Sequence, residues 1–231
     1  PPDPAPDDAE LPELPQATEE PAARPRDDAP DSAVARSGER IEVQTDLVVA
    51  EIDPVGGTLS SLRLKEYPVS VDQPDQPIEL LTDRLEDLHL AQAGLIDADR
   101  RAPNHTTRYR FERQFYELAD DADTLTVPLR WSDDDGLEVV QTWTFRRDDY
   151  VIEHGFEIRN NGEAAWQGSR YLRLQRTPGQ ASNGMTFTNP ERISYNGAAV
   201  YSEEEKFEKL KFDSFDEQQY RNTFNGGWAG M

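Results

Sequence analysis

From residue 41 onward, apolar and polar residues alternate with a period of two over long stretches, the pattern of strands with one buried face. Ile41-Glu42-Val43-Gln44-Thr45 opens the series, and Leu47, Val49 and Ile52 continue it to a Gly56-Gly57 turn. Leu59, Leu62 and Leu64 follow, before Tyr67-Pro68. Pro74 and Pro77 are expected to bracket a loop, and Ile78–Leu81 to form a short strand. Leu90–Leu95 is the next apolar segment, and residues 97–106, polar with Pro103, read as a loop. Tyr109, Phe111, Phe115 and Tyr116 make a strand-like aromatic patch.

The clearest alternation comes next. Leu125, Val127, Leu129 and Trp131 run to a turn at Asp133–Gly136, and Leu137, Val139, Trp143 and Phe145 run back. Arg146–Asp149 turns the chain again, and Tyr150, Ile152, His154, Phe156 and Ile158 lead to Asn160-Asn161-Gly162. Trp166–Leu174 is expected to return as a fourth strand of one antiparallel meander. Pro128 has no N–H to give a ladder and belongs on an edge or a bulge. Thr177–Pro190 reads as a loop. Beyond it, Phe207 and Leu210 are three apart and Glu205–Lys209 is an i,i+4 pair, which predicts a turn or two of helix. Gly226-Gly227 breaks the chain before Trp228.

Composition adds a boundary. Residues 1–40 carry about half of the chain's 17 prolines, many acids and no aromatic residue. Such a segment buries too little apolar surface to offset its chain entropy, so it reads as a disordered or extended acidic linker ahead of a domain at 41–231. The net charge is -22, with 46 acidic and 24 basic residues, which argues against non-specific binding to nucleic acid or to an anionic membrane. The absence of Cys removes disulfides, thiolate metal sites and Cys nucleophiles together. No run approaches the roughly 18 apolar residues of a membrane span. With no initiator Met and no signal-peptide core, the chain is expected to be a piece of a longer protein.

Several motifs, in order, resemble one family. They are Thr45-Asp46, Gly56-Gly57, Tyr67-Pro68, Leu80-Leu81, Ala91-Gln92-Ala93-Gly94-Leu95 and the turn Phe145–Tyr150, then Gly197-Ala198-Ala199-Val200-Tyr201, Glu205–Asp213 and Gly226-Gly227-Trp228. This series resembles the large periplasmic domain of the YidC membrane protein insertases, with Asp148 standing where the family usually has Gly. The resemblance implies an all-β fold: a large antiparallel β-sandwich of the galactose-mutarotase-like supersandwich type, here with the short helical segment near its C-terminus. In that family the domain continues past Gly-Gly-Trp, so a C-terminal truncation is expected. The resemblance also implies a non-enzymatic accessory domain at the periplasmic face of the bacterial inner membrane, without cofactors. Its implied partners are Sec translocon components, SecD–SecF first and SecYEG second, with nascent membrane proteins reached through the full-length protein.

Candidate chemistry is sparse. His154 falls on the apolar parity of its strand, a place for a general acid/base if a carboxylate faces it, as in the mutarotase relatives. The plainer reading is a hydrogen-bonded core or rim histidine, and the same holds for His89 and for His105 in its loop. No His pair has metal-ligand spacing, and Asp133–Gly136 is explained as a turn rather than a calcium loop. Among Trp131, Trp143, Trp166, Trp228, Tyr171 and Tyr195, the candidates to line a sugar or peptide groove are Trp143, Trp166 and Tyr171. Phe207, Leu210 and Phe212 are the candidate partner contacts. The competing class is a carbohydrate-active or carbohydrate-binding sandwich, which requires His154 or His105 in an open groove beside an acid, or Trp side chains exposed in a row on one sheet face.

Overall fold

A computed structural model describes residues 39–97, 102–177, 197–215, 220–223 and 225–231. The linker reading of 1–40 therefore falls almost wholly outside the described residues, as do Tyr195 and nearly all of the loop read at Thr177–Pro190.

The first sheet is built from β1 (Ile41–Gln44), β2 (Val48–Asp53), β3 (Thr58–Ser70), β4 (Gln73–Leu81), β5 (His89–Asp97), β6 (Phe115–Glu117) and β10 (Gly168–Arg176). Its order is β10-β5-β3-β2-β1-β6, with β4 also paired to β3; β1 and β6 run parallel. The second sheet contains β7 (Thr124–Ser132), β8 (Leu137–Arg146) and β9 (Glu153–Asn160), in that order and antiparallel. A third, small sheet holds β11 (Gly197–Ser202), β12 (Lys206–Lys211) and β13 (Trp228–Gly230), in the order β12-β11-β13. The all-β sandwich that the resemblance implies is the observed fold.

The first two sheets close over one core. Ile41, Val43, Ala50 and Ile52 of β1 and β2 meet Val127, Leu129, Trp143 and Phe145 of β7 and β8. A second cluster of Leu95, Ala102, Leu137 and Val139 extends the core toward β5. Gly57 ties the sheets together. Its carbonyl accepts hydrogen bonds from Trp143 Nε1 at 2.9 Å and from Gln141 Nε2 at 3.1 Å, both buried. Gly57 has φ +57, and a Cβ there would lie 2.5 Å from Gln141 Oε1. Only glycine combines that backbone conformation with so close an approach.

Three expectations are corrected. The loop expected around Pro74 and Pro77 is instead β4, the return of a long hairpin with β3 whose ladder shifts register near Pro68↔Pro77. Those irregularities accommodate the missing proline donors. The meander stops at three strands. β10 leaves the second sheet and pairs with β5 along Gly168–Arg176. The connection after β9 is longer than a hairpin turn and can cross the roughly 10 Å between sheets. Trp166 anchors that crossing by packing on the second cluster and donating from Nε1 to Asp97 Oδ2 at 3.2 Å.

The third correction concerns the C-terminal helix. Lys206–Lys211 is a strand, not a helix, paired residue for residue with β11. The turn before it is set by Lys206 at φ +63 and by Ser202 Oγ, which accepts the Glu205 N–H at 3.0 Å. A Glu–Lys i,i+4 pair is worth only a few tenths of a kcal/mol, less than a ladder of backbone bonds and aromatic cross-strand pairs supplies. The one helical stretch among the described residues is a single 3-10 turn at Phe212–Phe215.

Two sequence details hold. Pro128 lies on β7, an edge of its sheet, as its missing N–H requires. Asp148 takes φ +55, the conformation glycine would supply, and its N–H donates to Asp46 Oδ2 at 2.8 Å.

Candidate functional site

Among the described residues, no strand covers the β9–β10 flank of the sandwich. Register sets Arg170 opposite Leu95, Leu172 opposite Ala93 and Leu174 opposite Ala91. Partners directly opposite in a ladder share one face, and Leu95 on that face packs into the second core cluster. Leu172 and Leu174 thus lie on the core side, yet they are 67% and 44% exposed. From the second sheet, His154, Phe156 and Ile158 reach the same interior and are half-buried. β9 and β10 end their sheets in the described residues, so the flank has an apolar interior between two strand edges.

At the base of this flank His154 stands between two rings. Its centroid lies 4.5 Å from that of Trp143 and 4.8 Å from that of Phe156, at interplanar angles of 61° and 81°. Burial, and then the Arg170 charge, push its pKa down to about 4. His154 Nε2 is buried without a hydrogen-bond partner. The ring is therefore neutral near pH 7. Among the described residues, no carboxylate bonds to this Nε2.

His105 lies elsewhere. Its Nδ1 is 2.6 Å from Tyr171 Oη, which also accepts the His105 backbone N–H at 3.1 Å. Burial and the charge of Arg173 lower its pKa. Tyr171 reaches this loop by lying across Gly94, where a Cβ would meet its Oη at 2.4 Å. Being one residue out of step with Leu172, Tyr171 faces away from the open flank. His89 exchanges backbone hydrogen bonds with Thr82, and burial, then Arg176, lower its pKa.

The proposed groove aromatics thus divide. Trp143 is a core residue whose ring meets His154. Trp166 shares a shallow cleft with Asn160 and Glu163. Tyr171 clamps the His105 loop on the other face. The partner-contact set divides as well. Phe207 and Leu210, three apart on a strand, point to opposite faces of the third sheet, and Phe212 packs on Phe215 with ring centroids 6.1 Å apart. The structure instead gathers Phe207 with Tyr201 and Trp228. The turn at Asp133–Gly136 uses its carboxylate internally, Asp133 Oδ1 accepting the N–H groups of Asp135 and Leu137. Leu172, Leu174 and Arg170 were not singled out in the sequence. Their alternation reads as ordinary core, and only the strand order makes them a rim.

The described residues form an all-β sandwich whose histidines are held by rings, a tyrosine and backbone. The YidC periplasmic domain family model matches residues 40–231. The chain belongs to that family. It is similar to the membrane protein insertase YidC of Methylococcus capsulatus, 37% identical over 215 residues, covering 90% of this chain and 38% of the relative. The YidC of Nitrosococcus oceani is 36% identical over 223 residues, 95% of this chain and 39% of the relative. That of Nitrosomonas europaea is 38% identical over 199 residues, 84% of this chain and 31% of the relative. The chain spans less than two fifths of the length of these relatives. No helix among the described residues is long and apolar enough to cross a membrane.

Proposed function

We propose that this chain is the accessory periplasmic domain of a YidC-type insertase and chaperone, held at the periplasmic face of a bacterial inner membrane. In this reading it supports insertion and folding of membrane proteins by docking Sec translocon components, SecD–SecF first and SecYEG second, and it performs no chemistry of its own. Nascent membrane proteins are reached through the full-length protein. The observation that carries the reading is the family match over residues 40–231. The open flank supports it, because it supplies what an extended segment needs.

The docking segment adds to the edge of β10 or β9 and sets an apolar side chain against Leu172, Leu174 and Phe156. His154, neutral, adds no charge that docking would have to desolvate. Covering the exposed parts of the two leucines removes roughly 200 Å² of apolar surface, about 5 kcal/mol before association costs. Docking on this scale is transient and relies on the high local concentration that tethering in one membrane provides.

A pull-down tests it. The immobilised chain is expected to retain SecD–SecF from detergent-solubilised inner membranes, and Leu172→Asp/Leu174→Asp to lose most of that retention. Equal retention by both chains, or none by either, removes the proposal. Circular dichroism checks that the exposed double variant stays folded.

A further inference from the structure

Backbone and side chains come into one register at the β10 edge. The Thr177 N–H donates to the Leu88 carbonyl at 2.8 Å, one step past the β10–β5 ladder. In an antiparallel ladder, hydrogen-bonded and non-hydrogen-bonded pairs alternate. Counting back from Thr177, Gln175, Arg173 and Tyr171 bond to β5, and Arg176, Leu174, Leu172 and Arg170 do not. Two bonds made by β5 agree. His89, opposite Arg176, exchanges its backbone bonds with Thr82, and Leu95, opposite Arg170, donates to the Pro103 carbonyl at 3.0 Å. The N–H and C=O groups of Arg170, Leu172, Leu174 and Arg176 thus point out of the sheet at its edge, where no described strand pairs with them.

The side chains of the same four residues, two apart along the strand, share the flank face. They read arginine, leucine, leucine, arginine, and all four are exposed. Among the described residues, neither Arg170 nor Arg176 takes part in an ion pair or a hydrogen bond. Elsewhere in this acid-rich chain, arginines are held by acids: Arg40 by Asp53 and Asp83, Arg84 by Glu79 and Asp87, Arg146 by Glu153. On β5 the acid of the flank face is Asp97, opposite Gly168, and it accepts the Trp166 Nε1 bond. The β9 side brings His154, Phe156 and Ile158, none of them acidic.

Resting on the docking reading above, we propose that the β10 edge takes an extended partner segment with acidic, apolar, apolar and acidic residues at alternate positions. Its backbone continues the ladder on the outward N–H and C=O groups, as in strand addition to a sheet edge. Residues directly opposite share a face, so the two apolar side chains meet Leu172 and Leu174, and the two carboxylates meet Arg170 and Arg176. Carboxylate on guanidinium is a charge-assisted contact, and a planar fork accepts it in two bonds. Charges on an edge strand also guard against pairing with like chains. A second copy of this edge, in either strand direction, sets arginine against arginine. The arrangement thus selects a segment of opposite charge over a second copy of the chain.

Two blocked, labelled peptides test it by fluorescence anisotropy with the whole chain: Glu-Thr-Val-Thr-Val-Thr-Glu, and the same peptide with Lys at both ends. The acidic peptide is expected to bind at least about tenfold more tightly at low salt, and the gap to narrow as salt rises. Arg170→Glu/Arg176→Glu is expected to reverse that order, and the gain of the lysine peptide shows that the edge itself is intact. Arg170→Gln and Arg176→Gln each weaken the acidic peptide about threefold, and they carry the test should the double reversal not fold. Hydrogen exchange by NMR reads the register: the amides of Arg170, Leu172, Leu174 and Arg176 gain protection with the acidic peptide, while those of Tyr171, Arg173 and Gln175 are protected without it. Equal affinity for both peptides overturns the charge match and leaves docking at the flank standing. Binding of neither peptide, or binding without protection of the four amides, overturns strand addition at this edge, and the SecD–SecF pull-down then judges the docking reading by itself.

Discussion

Gly57→Ala tests how the two sheets are joined. Alanine at φ +57 costs about 1–2 kcal/mol in the left-handed region. Its Cβ would lie 2.5 Å from Gln141 Oε1, 2.7 Å from Cδ and 2.7 Å from Nε2, so the whole amide must move. Gln141 is fully buried, and moving it breaks the 3.1 Å bond to the Gly57 carbonyl. A buried amide left unpaired costs about 1–3 kcal/mol. The lower unfolded-state entropy of alanine returns about 0.4–1 kcal/mol. The net expectation is a loss of about 2–4 kcal/mol, read by urea denaturation followed by circular dichroism with the m-value unchanged. The cycle with Gln141→Ala separates the causes. If the close approach matters, Gly57→Ala costs at least about 1 kcal/mol less in the Gln141→Ala background. A loss below about 0.5 kcal/mol, or an identical loss in both backgrounds, would refute the reasoning.

Two further predictions follow from single residues. His154 titrates near 4 when folded and near 6.5 when unfolded, so between those values the unfolded chain binds more protons. Stability therefore rises with pH through that window and is flat above it. With partial exposure discounted, this contributes roughly 2 kcal/mol of acid destabilisation that His154→Leu removes, measured as the difference between the two pH–stability curves; parallel curves contradict it. Asp148→Gly keeps the backbone N–H that bonds Asp46 and relieves an L-residue at φ +55, so it is expected to raise stability by up to about 1 kcal/mol. The Asp46 carboxyl, which burial pushes up but the Asp148 N–H, its own N–H and Arg147 together hold below the usual range, is expected to titrate as before by NMR.

Where the residue pattern is local, the sequence is a good guide. The alternation through Leu125–Ile158 is β7, β8 and β9, because the turns at Asp133–Gly136 and Arg146–Asp149 carry their own chemistry. Gly56-Gly57 is visible as a turn, but its role as acceptor for Trp143 and Gln141 depends on a strand some 80 residues away in sequence. Trp166–Leu174 alternates like its neighbours, and nothing in that alternation says which sheet it joins. Partner choice is a tertiary property. The same blindness explains the site. Leu172 and Leu174 look like core and, among the described residues, are rim, because strand order decides which strand lies last. At Lys206–Lys211 the helical cue rested on two apolar residues and one ion pair, whereas the pairing of Tyr201 with Phe207 and Trp228 is non-local. Reading it as a strand is what brings three rings and two lysines to one face.

The central claim is that the β9–β10 flank docks a Sec component. The most direct measurement is site-specific photocrosslinking in cells, with the probe at position 172 of a full-length insertase carrying this domain, and at Arg159 as an exposed control on β9. The account predicts an adduct with SecD or SecF from position 172 that is lost with Leu174→Asp, and none from position 159. Equal adducts from both positions, or no Sec adduct from position 172, would contradict it.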